Sequence, residues 1–314
     1  MSLPTDLTFL APPGEAADWR TILLCDAAAS TGVFDKLPGT PEELTTRTGL
    51  EPQALRVVLD ALVTVSVLEA GADGNLSLGP DAPEPSAMPR VRHHARALKR
   101  WATAIEPRLR GQSTRDPAGV ADPEMFHDAL AANALKGAPE VVDVCLRRFP
   151  DARRVLDLGG LHGEYSLEFT RRGLRAMMQD MPAMVDVARR RGRLEAAGVE
   201  LVEGSFFEKV PDGPFDLAYC SGITHTFDGE HNLMLFRNLR NVVAPGGGVA
   251  VVTFLRGRNP INALFAIQML VNDNGGDTHT EQEYRSWLSE AGFTVDDEIL
   301  DLPEQGSRSV LFAT

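Results

Sequence analysis

Residues 154–166 read RVLDLGGLHGEYS, a pattern that predicts a short apolar strand, a glycine-rich turn and the first turn of a helix. A second acidic residue, Asp180, follows in MMQDMP at the end of the next predicted strand. Glycine allows the backbone to approach a ligand closely at the end of a strand. The stretch therefore predicts an α/β sheet with a site for a nucleoside-bearing cofactor.

The spacing of the glycines narrows the choice of cofactor. Gly159, Gly160 and Gly163 do not follow the GxGxxG spacing of dinucleotide-binding proteins, and the chain lacks the GK[ST] of a P-loop. Asp180 follows at about the distance (~20 residues) at which a carboxylate that binds ribose hydroxyls is expected. Asp180 has two alternative interpretations, as a solvent-facing loop residue or as the helix cap before Pro182.

Length and charge limit the class of protein. A chain of 314 residues suits roughly two domains. Its net charge of -13 argues against nucleic acid and anionic membrane surfaces as partners.

The three cysteines are far apart and predict buried thiols rather than a metal site or disulfides. The N-terminus has no signal-peptide pattern and no segment reaches the ~20 apolar residues of a membrane span, so the sequence predicts a cytoplasmic protein.

The first half of the chain is predicted to contain three segments. Residues 1–17 are proline-rich and predict an arm, residues 18–85 a winged helix, and residues 86–150 a helical linker. Within the second segment, TPEEL predicts a helix start, with Thr40 as the N-cap and Glu43 closing a capping box. A hairpin follows, turning at Asp73 and Gly74.

The charge of the winged helix decides between DNA binding and dimerisation. Between Trp19 and Pro80 the sequence contains eight acidic and four basic residues. A DNA-binding module needs the opposite balance, because contacts to phosphates supply most of its affinity. The segment is therefore interpreted as a dimerisation module.

From residue 151 to 314, predicted strands alternate with helices. VLDL, AMMQ, VELVE, FDLAYC and VAVVTF are strand-like, and such alternation predicts a parallel sheet covered on both faces. A capped helix, TEQEYRSWLSEAGF, precedes two further strand-like runs, FTVDDEIL and SVLFAT. This ending predicts an added antiparallel strand at the end of the sheet.

Five segments of the chain carry a resemblance to a known family: LDLGGLHGEYS, QDMP, EGSFF, SGITHTFDGEHNLMLFRNLRNVVAPGGGVAVV and NDNGGDTHTEQEYRSWLSEAGF. In this order they resemble the sequence blocks of S-adenosylmethionine-dependent small-molecule O-methyltransferases, of the plant caffeate-like and bacterial polyketide-tailoring kinds. The N-terminal winged helix is similar to the dimerisation domain of the same family. The resemblance implies a Rossmann-like class I methyltransferase sheet, a homodimer, and a role in secondary-metabolite tailoring such as antibiotic biosynthesis.

The resemblance also implies a set of cofactor-binding residues. Asp157 and the glycine turn would hold the methionine end, Asp180 the ribose, and the residues after the next strand the adenine. Ser205 stands where the family usually has aspartate, and its hydroxyl can still accept or donate a hydrogen bond to adenine. The complete set is Asp157, Gly159, Gly160, Gly163, Asp180, Met181, Gly204, Ser205, Phe206 and Ser221.

The implied catalytic block is His225-Thr226-Phe227-Asp228, in which His225 is the general base and Asp228 the second catalytic residue. A phenol with a pKa of about 10 is mostly protonated at pH 7, whereas an imidazole with a pKa near ~6.5 can accept its proton. A purely structural histidine is the alternative interpretation of His225.

Two positions depart from the family's pattern. Many members orient the base with two carboxylates, and Thr253 and Thr278 occupy those positions here. Asp277 is a possible substitute for one of them. Because neutral neighbours leave an imidazole less basic, this departure favours two alternatives: C-methylation, and use of the cofactor for a non-methylating reaction.

The apolar segment 259–277 is the predicted wall of the acceptor pocket, with core packing as its alternative role. Its candidate substrate-binding residues are Phe265, Gln268, Met269 and Asn272. No metal site is predicted. The combined prediction is a homodimeric enzyme that methylates a hydroxyl of a small aromatic or polyketide-like metabolite, and a ligand-responsive regulator is the least favoured alternative.

Overall fold

A computed structural model describes residues 16–115 and 122–314. The chain forms two compact units, the first ending at Ala102 and the second beginning at Thr103. This boundary falls inside helix α4 (Met88–Leu109), and so within the segment 86–150 that the sequence predicts as a linker. Most of the predicted arm, residues 1–15, lies outside the described residues.

The first unit contains a helix, a helix-turn-helix and a hairpin, followed by the beginning of α4. The elements are α1 (Trp19–Ser30), α2 (Pro41–Thr48), α3 (Pro52–Thr64), β1 (Leu68–Ala70) and β2 (Leu76–Leu78). The strands β1 and β2 pair antiparallel. Apolar side chains from all three helices, including Ile22, Leu44 and Leu59, meet in one hydrophobic core.

Local sequence explains how α2 begins and ends. Thr40 accepts a hydrogen bond from the backbone N–H of Glu43, and the Glu43 side chain accepts from the backbone N–H of Thr40. This is the predicted capping box. Gly49 ends the helix in the left-handed conformation with φ +68°, which glycine adopts without steric cost.

The second unit contains the end of α4 and then an α/β domain, whose first helix is α5 (Pro123–Arg148). Its strands are β3 (Arg154–Leu158), β4 (Arg175–Asp180), β5 (Glu200–Glu203), β6 (Phe215–Ser221), β7 (Val243–Thr253), β8 (Leu300–Asp301) and β9 (Ser309–Ala313). Its further helices are α6 (Glu164–Arg171), α7 (Pro182–Arg191), α8 (Arg193–Ala196), α9 (Gly229–Arg240), α10 (Asn262–Asn272) and α11 (Glu281–Glu290).

The seven strands form one sheet in the order β5-β4-β3-β6-β7-β9-β8. β3 to β7 are parallel, and β9 pairs antiparallel with β7. Alternate residues of β3 belong to separate cores, with Val155 in one and Leu156 in the other. The sheet is therefore covered on both faces, as a parallel sheet requires, and the predicted fold class is confirmed.

One strand-like run of the sequence folds differently. FTVDDEIL contributes only an isolated bridge between Val295 and Ala313 and the start of the two-residue strand β8. The polar residues Asp296 to Glu298 interrupt its apolar pattern, so the run cannot bury one face against the sheet. Among the described residues, no helix is long and apolar enough to cross a membrane.

Candidate functional site

The carboxyl ends of β3 and β4 bring two buried carboxylates to the same edge of the sheet. Asp157 is 1% exposed and Asp180 is 7% exposed. The Oδ2 atom of Asp157 accepts a hydrogen bond of 2.6 Å from Oγ of Ser166, in the helix that follows the glycine turn. Burial raises the pKa of Asp157 to about 7, and the negative charge of Asp180 adds to this increase.

The turn between β3 and α6 fits only glycine at two positions. Gly159 has φ +63°, and a Cβ atom there would lie 2.2 Å from Cγ2 of Ile223. Gly163 has φ +70°, and a Cβ atom there would lie 2.4 Å from a methyl of Leu194. A larger side chain at either position would displace the turn. Glycine at both positions therefore lets the backbone approach the strand ends closely.

Asp180 is neither a solvent-facing residue nor a helix cap. Its two oxygens accept backbone N–H groups, Oδ2 from Leu161 at 2.8 Å and Oδ1 from Met181 at 2.7 Å. The N-cap of α7 is Met181, without a side-chain capping bond. Burial raises the pKa of Asp180, while the two backbone donors lower it. Each oxygen retains a further lone pair, so the carboxylate is fixed in place and can still accept from a ligand.

The loop after β5 lies beside Asp180. The backbone N–H of Gly204 donates to the carbonyl of Asp180 at 3.0 Å. Oγ of Ser205 accepts from the backbone N–H of Phe207 at 3.3 Å. Phe206 is 7% exposed and packs edge-to-face on Phe207, with ring centroids 4.9 Å apart. Met181, in contrast, is 53% exposed, which leaves a large apolar side chain in solvent next to this loop.

His225 lies just beyond the carboxyl end of β6, in a short 3₁₀ turn that follows Ser221. Its side chain is buried and packs edge-on against Phe265, with centroids 4.7 Å apart, and near Phe254 at 5.7 Å. Its Nδ1 atom is buried and has no hydrogen-bond partner within the described residues. Burial lowers the pKa of His225 to about 3, and the positive charge of Arg308 adds to this effect.

Comparison with known proteins identifies the family. Residues 126–294 match the O-methyltransferase domain family. The chain belongs to this family. The 3-amino-4-hydroxybenzoate 4-O-methyltransferase of Streptomyces cremeus is 30% identical over 312 residues, which cover 90% of this chain and 84% of the relative. The tetracenomycin polyketide synthesis 8-O-methyl transferase of Streptomyces glaucescens is 27% identical, with 85% of this chain and 86% of the relative covered.

A solved structure shows the same fold. The O-methyltransferase of neocarzinostatin biosynthesis superposes with a TM-score of 0.72 at 20% identity, over 97% of this chain and 99% of that chain. It was solved in complex with S-adenosyl-L-homocysteine and 1,4-dihydroxy-2-naphthoic acid. S-Adenosylmethionine is accordingly the cofactor of this O-methyltransferase, and the predicted family, enzyme class and cofactor are confirmed.

In this O-methyltransferase, Asp228 has partners other than His225. It is the N-cap of α9, where its Oδ1 atom accepts the backbone N–H of His231 at 3.0 Å. The same atom lies 2.8 Å from Nδ1 of His231. The side chains of Asp228 and His231 are each half exposed. The catalytic role predicted for Asp228 stays a prediction, and its contacts are those of a helix cap.

Thr253 and Thr278 are the two positions for which the family resemblance implies carboxylates. Oγ1 of Thr253 lies 3.2 Å from the hydroxyl of Tyr284, which donates to Oγ1 of Thr224 at 2.8 Å. Oγ1 of Thr278 is buried and unpartnered in the described part of the chain. Asp277 forms an ion pair with Arg256. No carboxylate of this set therefore hydrogen-bonds to the imidazole of His225.

Helix α10 places its predicted substrate residues on one side. Phe265 and Met269, one turn apart, are each 6% exposed, and Phe265 contacts His225 directly. Nε2 of Gln268 donates to Oδ1 of Asn272 at 3.2 Å. The first pair is buried, with Phe265 against the histidine, whereas the second pair is only partly buried.

Two residues near His225 were not selected from the sequence. Tyr284 reaches the site from α11 through its hydroxyl, although helical periodicity indicates only a core residue. Arg308 precedes the buried strand β9, and the guanidinium lies over the ring of Phe254, with Cζ 5.0 Å from the centroid. The position of Arg308, a charged residue directly before the apolar run SVLFAT, was the one feature of the sequence that could have indicated it. Among the described residues, no group of three or more metal-ligating side chains comes together.

Proposed function

We propose that this O-methyltransferase transfers a methyl group to a hydroxyl of a small aromatic or polyketide-like acceptor, with His225 as the general base. The main supporting observation is the position of His225. It follows β6, adjacent to β3 in the sheet, and faces the aromatic rings of Phe254 and Phe265. Ligands bind at such strand ends in open α/β sheets. The relatives named for 3-amino-4-hydroxybenzoate and tetracenomycin also support an aromatic acceptor.

The residues at the strand ends fit the cofactor. The glycine turn, together with Asp157 and Ser221, would hold the methionine end of the cofactor. The turn is tightly packed, because a Cβ atom at Gly159 would collide with Ile223. Asp180 would accept hydrogen bonds from the ribose hydroxyls. Exposed Met181 and the loop Gly204–Ser205–Phe206 would border the adenine, which needs an apolar surface and a polar edge. S-Adenosylmethionine supplies an electrophilic methyl group on a sulfonium centre when bound.

His225 would accept the proton of the acceptor hydroxyl. Its lowered pKa keeps the imidazole neutral at pH 7, so a nitrogen lone pair is available. The same low pKa makes complete proton transfer from an ordinary phenol unfavourable in advance of methyl transfer. The proton would therefore move to His225 as the hydroxyl oxygen forms its bond to the methyl carbon and the bond from that carbon to the sulfonium sulfur breaks, which would leave S-adenosylhomocysteine.

Replacement of His225 tests this role. We expect His225→Asn to lower kcat by about 10²- to 10⁴-fold, the usual contribution of a positioned general base, with the affinity for S-adenosylhomocysteine unchanged. His231→Asn is the control, since His231 is half exposed, and it should retain kcat. A His225→Asn enzyme with wild-type kcat would remove His225 from the mechanism.

C-methylation is the second candidate reaction. The observation that favours it is the lack of a carboxylate partner for His225, whose Nδ1 atom is unpartnered in the described residues. An electron-rich aromatic carbon loses its proton only after the methyl group has been added, so it needs a weaker base than a phenol does. Transfer of a ¹³C-labelled methyl group followed by NMR of the product distinguishes the two, because a methyl on oxygen and one on carbon have well-separated ¹³C shifts.

The first unit is proposed to be a winged-helix dimerisation domain. Its helix-turn-helix and hairpin have the required order, and it exposes the large apolar side chains Trp19, Val57 and Leu78. A second copy of the chain would bury such side chains. Light scattering coupled to gel filtration should give twice the chain mass, and a monomeric mass at micromolar concentration would contradict the homodimer. The cytoplasmic location stays a prediction from the sequence.

A further inference from the structure

Arg308 brings a guanidinium to the site of His225, and the described residues give it no acidic partner. Within residues 16–115 and 122–314, no carboxylate forms an ion pair with it. Its Nη1 atom donates to Oε1 of Gln305 at 3.1 Å, and this oxygen also accepts the hydroxyl of Tyr165 at 2.9 Å. Its Nε atom is buried and lacks a hydrogen-bond partner among those residues. One side of the guanidinium is thus fixed, while its remaining donors are left without an anion.

Neighbouring arginines show that this situation is local to Arg308. Arg256 pairs with Asp277, and Arg258 pairs with Asp301, which lies on the strand next to β9. Asp301 also accepts the hydroxyl of Ser309 at 2.8 Å, and Glu304 pairs with Lys136. The carboxylates close to Arg308 in sequence are therefore engaged elsewhere.

The surroundings of Arg308 fit a flat, aromatic anion. The point that a Cβ atom of residue 222 would occupy lies 3.9 Å from Cε1 of His225 and 4.0 Å from Nη2 of Arg308. The guanidinium and the imidazole therefore approach the same place at the end of β6. Phe254 contacts both groups, and its ring lies 4.1 Å from that of Phe265. An apolar aromatic wall, a proton acceptor and an unpaired cation meet here.

We propose that Arg308 binds a carboxylate of the acceptor, which makes the acceptor an aromatic hydroxy acid. This inference rests on the proposed function, because it assigns the acceptor of the same site. Arginine suits the task, since its planar fork can bind a carboxylate through two parallel hydrogen bonds. The aromatic ring of the acceptor would then lie along Phe254 and Phe265, which directs its hydroxyl towards His225.

Binding of the anion would also affect the base. The pKa of His225 is lowered first by burial and then by the positive charge of Arg308, followed by that of His279. An acceptor carboxylate against the guanidinium offsets one of these causes and makes the imidazole more basic. The correct acceptor would thus help to activate its own general base.

The test compares hydroxy acids with their neutral amides. The probes are 4-hydroxybenzoate and 1-hydroxy-2-naphthoate, each paired with its carboxamide, which has nearly the same shape. We expect at least one acid to bind the enzyme–S-adenosylhomocysteine complex about tenfold or more tightly than its amide, as measured by calorimetry. In Arg308→Gln this preference should vanish through weaker binding of the acid, and Arg308→Lys should restore part of it.

The cofactor provides a second carboxylate, and a further measurement separates the two sources. S-Adenosylhomocysteine carries this group and 5′-methylthioadenosine does not. If the Arg308→Gln substitution weakens the binding of S-adenosylhomocysteine but not that of 5′-methylthioadenosine or of the hydroxy acids, the guanidinium binds the cofactor and the proposal is wrong. It is also wrong if neither acid binds more tightly than its amide. Failure of methyl transfer to every hydroxyl, with the acid preference intact, would instead contradict the proposed function, and only the carboxylate site at Arg308 would stand.

Discussion

At the scale of single residues, Asp228 has the contacts of a helix cap, so we expect substitution to affect stability more than catalysis. Asn caps a helix about as well as Asp does, whereas Ala does not. Asp228→Asn should keep the stability and kcat of the wild type, and Asp228→Ala should lose about 1 kcal/mol of unfolding free energy. Denaturation curves and initial rates measure both. A large loss of kcat in Asp228→Asn alone would establish the predicted catalytic role.

The pKa of His225 predicts how stability depends on pH. The unfolded chain binds a proton on this residue below about pH 6.5, whereas the folded protein does so only near pH 3. Because the unfolded state binds more protons in between, His225 destabilises the fold as pH falls through this range, by on the order of 2 kcal/mol at pH 5. Denaturation at pH 7.5 and pH 5 should show a smaller loss in His225→Asn than in the wild type. Equal losses would contradict the lowered pKa.

At the scale of elements, the turn between β3 and α6 should not tolerate a methyl group. Gly159 and Gly192 have nearly the same φ, +63° and +64°, but a Cβ atom at Gly192 would meet nothing within 4 Å. Gly192→Ala therefore carries only the cost of the left-handed conformation. Gly159→Ala adds the collision with Ile223, so we expect it to weaken binding of S-adenosylhomocysteine by about tenfold or more, a difference of about 1.4 kcal/mol. Equal affinities of the two variants by calorimetry would show that the turn can move.

Elements with a repeating pattern were predictable from the sequence, and the exceptions have physical reasons. The five parallel strands, the capping box of α2 and that of α11, formed by Thr280 and Glu283, depend on neighbouring residues, so spacing alone located them. FTVDDEIL is strand-like in sequence, but its acidic centre prevents burial of one face. The contact between Phe265 and His225 joins α10 to the end of β6. The two residues are far apart along the chain, so no pattern of neighbouring residues predicts their contact.

At the scale of the whole molecule, all proposed cofactor residues belong to the second unit. Saturating S-adenosylhomocysteine should therefore slow hydrogen exchange at residues 157–163, 180–181 and 204–206. At a hundred times its Kd the ligand stabilises the unit that binds it by about 2.7 kcal/mol. Amides in the first unit, up to Ala102, should exchange at their former rates.

Asp180→Asn is the control for this protection, because an amide cannot accept from both ribose hydroxyls as a carboxylate does. We expect the protection to disappear in that variant at the same ligand concentration. Protection that arises mainly in the first unit, or that survives in Asp180→Asn, would contradict the cofactor site assigned to the strand ends.

The sequence by itself determined the α/β fold and the glycine turn, because strand, turn and cap signals act over a few residues along the chain, and its resemblance to the O-methyltransferase family gave the cofactor. It also pointed to His225. Only the tertiary structure decided the surroundings of that histidine: Arg308, just before the last strand, and the aromatic wall of Phe254 and Phe265 approach it from elsewhere in the chain. A pKa depends on burial and on charges in space, so the chemistry opposite the cofactor follows from packing rather than from spacing. The same packing leaves the guanidinium of Arg308 without an acidic partner in the described parts of the chain.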